Sequence, residues 1–426
     1  MLRKYRSASW ALMDQAVVSA ANFLTIFLFA RHMKAADFGA LMLAHTGLLF
    51  ITGLQTSLVT RPHNILGAQL EGLEYTRFTR GAAIVQGLAS LFLSAVVAMA
   101  GALIWNAYSI AAGSILLALA LTAIPWMAQE FVRRVLYTRS DSRAAFINDC
   151  ISYGLQLLGA VALTVNGSVT QATPEAAFFV LGGSSLIAAI VGAWQLREHI
   201  VLPWGDRDSR QFQRSWEKLW GFGKWTLAQN VVGWFGSSGH GWILAAFVGT
   251  EKYGSYRAAY QIVAALNPLI QVTLSYLPSR ASVTYAKQGT LGLHRWLKKT
   301  TLMLFIPFFV CAMAIAALSD PLLKIAYGHK YAGMGLEWII IVGALSYVIN
   351  FARHPLEFGV LAMGGSKAAF LRSIISSSLS LTLGVWLIYI YGIYGTVISQ
   401  VIIATVVLIV MNNIYSDLAA KSKAGS

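Results

Sequence analysis

Twelve stretches of this chain are each long and apolar enough to cross a lipid bilayer, which leaves it few alternatives to a bundle of membrane helices. They are residues 7–30, 37–60, 79–104, 109–132, 144–165, 175–196, 219–248, 253–277, 300–319, 335–354, 368–390 and 393–415. A helix needs about 20 apolar residues to span a hydrocarbon core about 30 Å thick. Inside that core every backbone N–H and C=O must be satisfied within the protein, so runs of this kind are helical. Charged residues make up 12% of the chain, about half the share of a typical soluble domain. A soluble enzyme is excluded, and the chain reads as an all-α polytopic membrane protein of about 12 transmembrane helices.

A repeat divides those helices into two sets. Trp10 opens an apolar run that ends at Phe38-Gly39, and 215 residues later Trp225 opens one that ends at Tyr253-Gly254. In both the glycine stands 29 positions after the tryptophan, without a gap. Internal duplication is a common way of building membrane transporters. Two six-helix lobes are expected: residues 1–200, and 219–426 after a polar linker at 201–218. The copies are expected to turn at Gly39 and Gly254. The 219–248 run is long enough to bend, and its glycines permit it.

The net charge of +15 invites a nucleic-acid reading, which its distribution rejects. Assigning the loops alternately to two sides places 26 of the 32 Lys and Arg residues on one side. Cytoplasmic loops collect Lys and Arg, so both termini are expected in the cytoplasm and no nucleic-acid partner is expected. Cys150 and Cys311 fall in or beside apolar runs and imply no disulfide framework. The first run contains Asp14 and Asn22 and lacks a cleavage pattern, so it reads as a retained span. Asn166-Gly167-Ser168 matches a glycosylation sequon. Pro125, Pro268 and Pro307 lie within apolar runs, where a proline bends a helix. Pro268, among polar neighbours, is the hinge candidate. No Gly-rich phosphate loop ending in Gly-Lys-Ser/Thr and no Cys/His metal spacing is present in the sequence. Neither an enzyme nor a bound cofactor is expected, though coupling to a proton or sodium gradient stays open.

The Ser- and Trp-containing first helix, the Phe38-Gly39 pair and the stretch Pro321-Leu-Leu-Lys-Ile-Ala-Tyr-Gly-His-Lys-Tyr-Ala-Gly-Met-Gly335 resemble the polysaccharide-transporter branch of the multidrug/oligosaccharidyl-lipid/polysaccharide (MOP) exporter superfamily, that of the Wzx-type flippases. The resemblance implies a MATE-like fold in a bacterial inner membrane. It implies flipping of a polyprenyl-diphosphate-linked oligosaccharide for exopolysaccharide, capsule or O-antigen synthesis, by alternating access. Membrane lipids and a polymerase or export machinery would be its partners. Lipid II flippases of the superfamily usually carry two further C-terminal helices, and twelve spans argue against that branch. A cation-coupled multidrug exporter and a non-transporting component of a polysaccharide-secretion complex are the alternatives.

Ionisable groups inside spans are costly and point to function. Arg257 lies in a polar stripe with Gln261 and Gln271. Its guanidinium suits a diphosphate or a sugar carboxylate, or a structural pairing with Glu251 or Glu337. Gln15 and Asn22 in the first span correspond through the repeat to Asn230 and Ser237 in the seventh, beside Trp234. These are sugar-binding candidates, or interhelical hydrogen bonds. Asp14 is a candidate for a coupling ion or for pairing with an Arg. His45 and His240 are candidates for a proton relay or for packing. Arg31, Arg133 and Arg134 are candidate diphosphate contacts at the membrane boundaries.

Overall fold

The structure, a computed structural model, describes residues 2–139, 141–165, 172–197, 211–331 and 333–424. The sequon at Asn166 and the centre of the expected linker lie outside these. The described residues are helical almost throughout. Helices α1 (Leu2–His32), α2 (Ala35–Gln55), α3 (Gly72–Ala107), α4 (Ile110–Thr138), α5 (Ser142–Val165) and α6 (Pro174–Gln195) come first. Then follow α7 (Gln211–Ser237), α8 (Gly239–Val263), α9 (Asn267–Ala317), α10 (Ser319–Tyr327), α11 (Leu336–Ala362), α12 (Ser366–Leu379) and α13 (Val385–Ala424).

Ten helical stretches are apolar and long enough to cross a membrane. Two of them, Phe212–Gln271 and Leu371–Ala420, run for 60 and 50 residues. At about 1.5 Å per residue each exceeds twice a 30 Å core. Each is interrupted by a glycine in a backbone conformation no helix uses: Gly249 (φ 81°, ψ 166°) and Gly392 (φ 54°, ψ −126°). Dividing the two stretches there gives twelve passes among the described residues. The Gly-rich 219–248 run bends as its composition allows, with a one-residue discontinuity at Ser238 between α7 and α8.

The repeat is visible in the backbone, with one correction. Its turn lies five residues before each glycine. In the first copy the break is at Lys34, extended (φ −59°, ψ 151°) ahead of α2; in the second it is at Gly249, the position 215 residues on. Four residues after each break the aromatic of the pair, Phe38 or Tyr253, is buried to 0% and 1% exposure. Gly39 and Gly254 are buried within the following helix. The aromatic-Gly pair thus docks the start of a helix into its bundle, and the reversal itself needs only an extended residue or a left-handed glycine.

The chain forms two compact units, Met1–Val232 and Gly233–Ser426. In the first, α4 is the hub: it packs against α3 and α6 and also meets α2 and α5, while α1 lies along α5. Phe78, Val85, Phe131, Val135, Leu196 and Leu219 form a core at one end of this unit. In the second unit α11 is the hub, packed between α9 and α13 and against α8. Its core gathers Leu277, Leu297, Phe358, Val407 and Met411. Each unit also holds one π-helical turn, Thr56–Thr60 and Ser380–Gly384. Of the prolines read as kinks, Pro125 and Pro307 lie inside α4 and α9. Pro268 sits in the first turn of α9, after a 3₁₀ turn at Ala264–Leu266, where its missing N–H costs nothing.

Gly249 adopts a conformation that is essentially restricted to glycine, so Gly249→Ala is expected to cost about 1–3 kcal/mol. Gly221, which has open space around its Cβ position, is expected to tolerate alanine. Thermal unfolding of the detergent-solubilised full-length protein checks this. Equal melting temperatures for the two variants would contradict the assignment of the turn.

Candidate functional site

The hub helix of each unit carries a buried arginine within a cluster that gathers charges from neighbouring helices. In the first unit α4 presents Gln129, Glu130, Arg133, Arg134 and Tyr137, three or four residues apart and so on neighbouring turns. Arg133 faces three carboxylates. Its Nε is 2.5 Å from Oδ2 of Asp149, off the hydrogen-bond axis. Its two terminal nitrogens lie 3.3 Å from Asp14 Oδ2 and 3.4 Å from Glu130 Oε2. Tyr137 donates its hydroxyl hydrogen to the same Asp14 oxygen. Gln129 donates to Asp149 Oδ1 at 3.0 Å, and Asn148 donates to the Ala188 carbonyl at 2.7 Å. One guanidinium thereby ties α1, α4 and α5 together, with α6 joined through Asn148. Asp14 and Asp149 are almost completely buried. Arg134 adds a second positive charge, 2.7 Å from Glu130, but its side chain is 41% exposed.

In the second unit a polar cavity of about 370 Å³ opens among α8, α9, α11, α12 and α13. Its cationic side is made by Arg353 of α11 and Arg372 of α12, with the imidazoles of His354 on α11 and His240 on α8 beside them. Asn267, Ser346, Asn350, Ser376 and Gln400 add amides and hydroxyls, and Tyr260 and Tyr347 add aromatic walls. The two tyrosine rings meet edge to face, with centroids 5.8 Å apart. Glu357 lies between the two arginines, 2.7 Å from an Arg353 terminal nitrogen and 3.4 Å from Arg372 Nε. Nε of Arg353 and Nε of Arg372 are buried without a hydrogen-bond acceptor. The pair therefore has donor capacity to spare, which a bound anion with several oxygens would use.

The π turn shapes this cavity. At its start His240 Nε2 lies 2.8 Å from the Ser380 carbonyl. A carbonyl only accepts, so that ring nitrogen carries the hydrogen. The approach is close: a Cβ at position 384 would come within 2.7 Å of His240 Nε2, so glycine is needed there.

The sequence candidates divide as follows. Asp14, Arg133 and Arg134 come together in the ionic cluster of the first unit. Asn22 and His45 line a cleft of about 20 Å³, room for roughly one water. There Asn22 accepts from Gln156 at 3.3 Å, and His45 sets its ring edge-on to Trp126. Gln15 donates to Ser19 at 3.2 Å. Asn230 is half-buried, its Oδ1 lacking a hydrogen bond and lying against Gly53 of the same unit. Arg31 is exposed at the end of α1. His240 reaches the cavity of the second unit, while Trp234 stacks edge-on with Phe235. The side chain of Ser237 lies outside the described residues. Arg257 is half-buried one turn before Tyr260 and outside the cavity wall; its Nε has no hydrogen-bond partner, and it forms no ion pair among the described residues, so neither Glu251 nor Glu337 holds it. Gln261 is buried and Gln271 exposed; neither lines the cavity.

Arg353, His354 and Arg372 were not among the sequence candidates, because they stand where apolar runs end and read as boundary charges. A signal was present: Ser346, Tyr347, Asn350, Arg353, His354 and Glu357 repeat every three or four residues, marking one face of a helix.

Comparison with known proteins agrees with this architecture. A family model described as "Polysaccharide biosynthesis protein" matches residues 175–335. An inward-facing multidrug resistance MATE family transporter of the MOP superfamily superposes with a TM-score of 0.70 at 14% identity, covering 97% of this chain and 99% of the other. An outward-facing MATE family transporter gives 0.64 at 12% identity, covering 99% and 96%. A MOP superfamily transporter from Pyrococcus furiosus, whose structure is titled for a binding pocket of reverse polarity, gives 0.62 at 12% identity, covering 98% and 96%. Curated proteins gave no match. The chain is a multi-pass membrane protein with the MOP-transporter fold.

Removing Arg133 would leave three carboxylates facing one another. Arg133→Met is expected to destabilise the protein by about 3–5 kcal/mol, the usual cost of breaking a buried pair from one side. Arg134→Ala, at a half-exposed pair, is expected to cost no more than about 1 kcal/mol. Thermal unfolding in detergent reads both, and similar losses would contradict the clamp.

Proposed function

We propose that this protein is a flippase for a polyprenyl-diphosphate-linked oligosaccharide in a bacterial inner membrane. It acts in surface polysaccharide synthesis and works by alternating access. The observation that carries the reading is the cavity of the second unit. Two arginines share one carboxylate there and keep unused buried donors, surrounded by amides, hydroxyls and tyrosine rings. Arginine forks suit phosphate and carboxylate oxygens, and the amides, hydroxyls and aromatic faces suit sugar rings. The match to a polysaccharide-biosynthesis family model supports the same substrate class. The Pyrococcus furiosus transporter, whose title takes the reverse polarity of its pocket to suggest a different function, supports a cargo for this fold other than that of multidrug exporters.

A cation-coupled drug exporter is the second reading. It requires a buried carboxylate able to take up and release the coupling ion. The deeply buried carboxylates of the first unit, Asp14 and Asp149, are both held by Arg133, which favours the flippase. No cofactor is required. A proton or sodium gradient is the proposed source of drive, and the polymerase that consumes the flipped repeat unit is the proposed partner.

Lipid extracts of a deletion strain test the function. Lipid-linked repeat units are expected to accumulate on the cytoplasmic leaflet; unchanged lipids with altered drug sensitivity would favour the exporter. Complementation by Arg353→Ala, Arg372→Ala and Arg257→Ala tests the residues. Loss of a charge-assisted contact weighs about 1.5–3 kcal/mol, so each cavity variant is expected to lower export roughly tenfold or more at unchanged membrane abundance. Full complementation by both cavity variants would contradict the site.

A further inference from the structure

A second recess lies in the same unit. It is a groove of about 350 Å³ between α9, α11 and α13. Its walls are Leu302 and Phe305 on one side and Ala352, Pro355 and Leu356 on the other, with Leu297 beneath. Leu302, Met303 and Ile306, alongside the groove on α9, are exposed. In a membrane-spanning helix that face meets lipid. The groove has a charged mouth and an apolar body. His294 and Lys298 line the mouth, and Arg295 and Lys299 are exposed beside them. The His294 ring stacks on Tyr415, with Nδ1 3.4 Å from its hydroxyl.

From His294 to Phe305 the helix rises about 16 Å, roughly the depth of one leaflet of a 30 Å core. Cations at the boundary and an apolar trough one leaflet deep match one kind of molecule: a long-chain lipid with a phosphate headgroup. The other face of α11 lines the polar cavity. Ala352 and Pro355 belong to the groove, and Arg353 and His354 to the cavity. We infer that this groove seats the polyprenyl chain of the carrier lipid before its headgroup enters the polar cavity, with Lys298 against its phosphate and the wall formed by α11 keeping the apolar chain apart from that cavity. The inference rests on the flippase reading for the identity of the lipid. The groove's polarity is independent of that reading.

The test uses the full-length protein in nanodiscs with a photoreactive polyprenyl diphosphate, and locates crosslinked peptides by mass spectrometry. Crosslinks are expected on α9 around Leu302 and Phe305 and on α11 around Leu356. A single Lys or Arg contributes about 1 kcal/mol of attraction to an anionic lipid surface, so Lys298→Ala is expected to lower crosslinking about fivefold and Lys298→Arg to restore it. Leu302→Trp, which fills the trough, is expected to abolish it. A preference for the probe over excess phosphatidylglycerol supports the carrier. Equal displacement by phosphatidylglycerol would show an ordinary phospholipid site and overturn the assignment. Crosslinks elsewhere, in a protein that still flips its substrate, would overturn the groove and leave the function standing. Crosslinks in the groove of a protein whose deletion leaves lipid-linked sugars unchanged would uphold the groove as a polyprenyl-phosphate site and sink the flippase.

Discussion

A guanidinium inside a membrane protein is tolerable only when partners replace the water it has lost, and this requirement organises both units of the structure. In the first unit Arg133 meets Asp14, Glu130 and Asp149. Three helices, α1, α4 and α5, meet at the cluster because each supplies a charged group that the others pair. In the second unit the proportion is inverted: Glu357 alone serves Arg353 and Arg372. In the first arrangement three carboxylates surround the one guanidinium. The second retains buried donors and opens onto a cavity, so it can accept a further anion. Breaking a buried pair costs several kcal/mol, so Glu357 offsets the burial of both arginines.

Both clusters lie on the hub helix of their unit, the fourth membrane helix of each set of six. A helix packed on several sides is the one whose polar residues are shielded from lipid, so it can carry buried charge in both units. The hub of the first unit keeps acids around an arginine. The hub of the second keeps a polar stripe facing open space, bent at Pro355.

The helical plan was legible because the bilayer imposes it: an apolar run of sufficient length has no other stable form. The repeat was legible to the residue, since the breaks at Lys34 and Gly249 fall 215 positions apart. Its turn was placed five residues late, because a buried glycine beside an aromatic reads like a turn when only sequence is seen. Arg257 drew attention as a charge in mid-span, yet it stands outside the cavity wall, and burial against neighbouring helices is not written in spacing. Arg353 and Arg372 were read as boundary markers because hydropathy falls away at the ends of spans whether a charge faces water or an internal cavity. The i, i+3, i+4 stripe from Ser346 to Glu357 distinguishes the two cases. The pairing of Asp14 with Arg133 was one of two readings open to the sequence, and a contact spanning 119 positions needed the fold to decide it.

The account turns on whether an anionic glycolipid headgroup binds between Arg353 and Arg372. Electron cryomicroscopy of the full-length protein in nanodiscs, with its lipid-linked repeat unit bound, tests this most directly. The account predicts density for the diphosphate or an acidic sugar against both guanidiniums, with at least one of their contacts to Glu357 given up. Density bound elsewhere, with both Glu357 contacts intact and the cavity filled only by solvent, would contradict it.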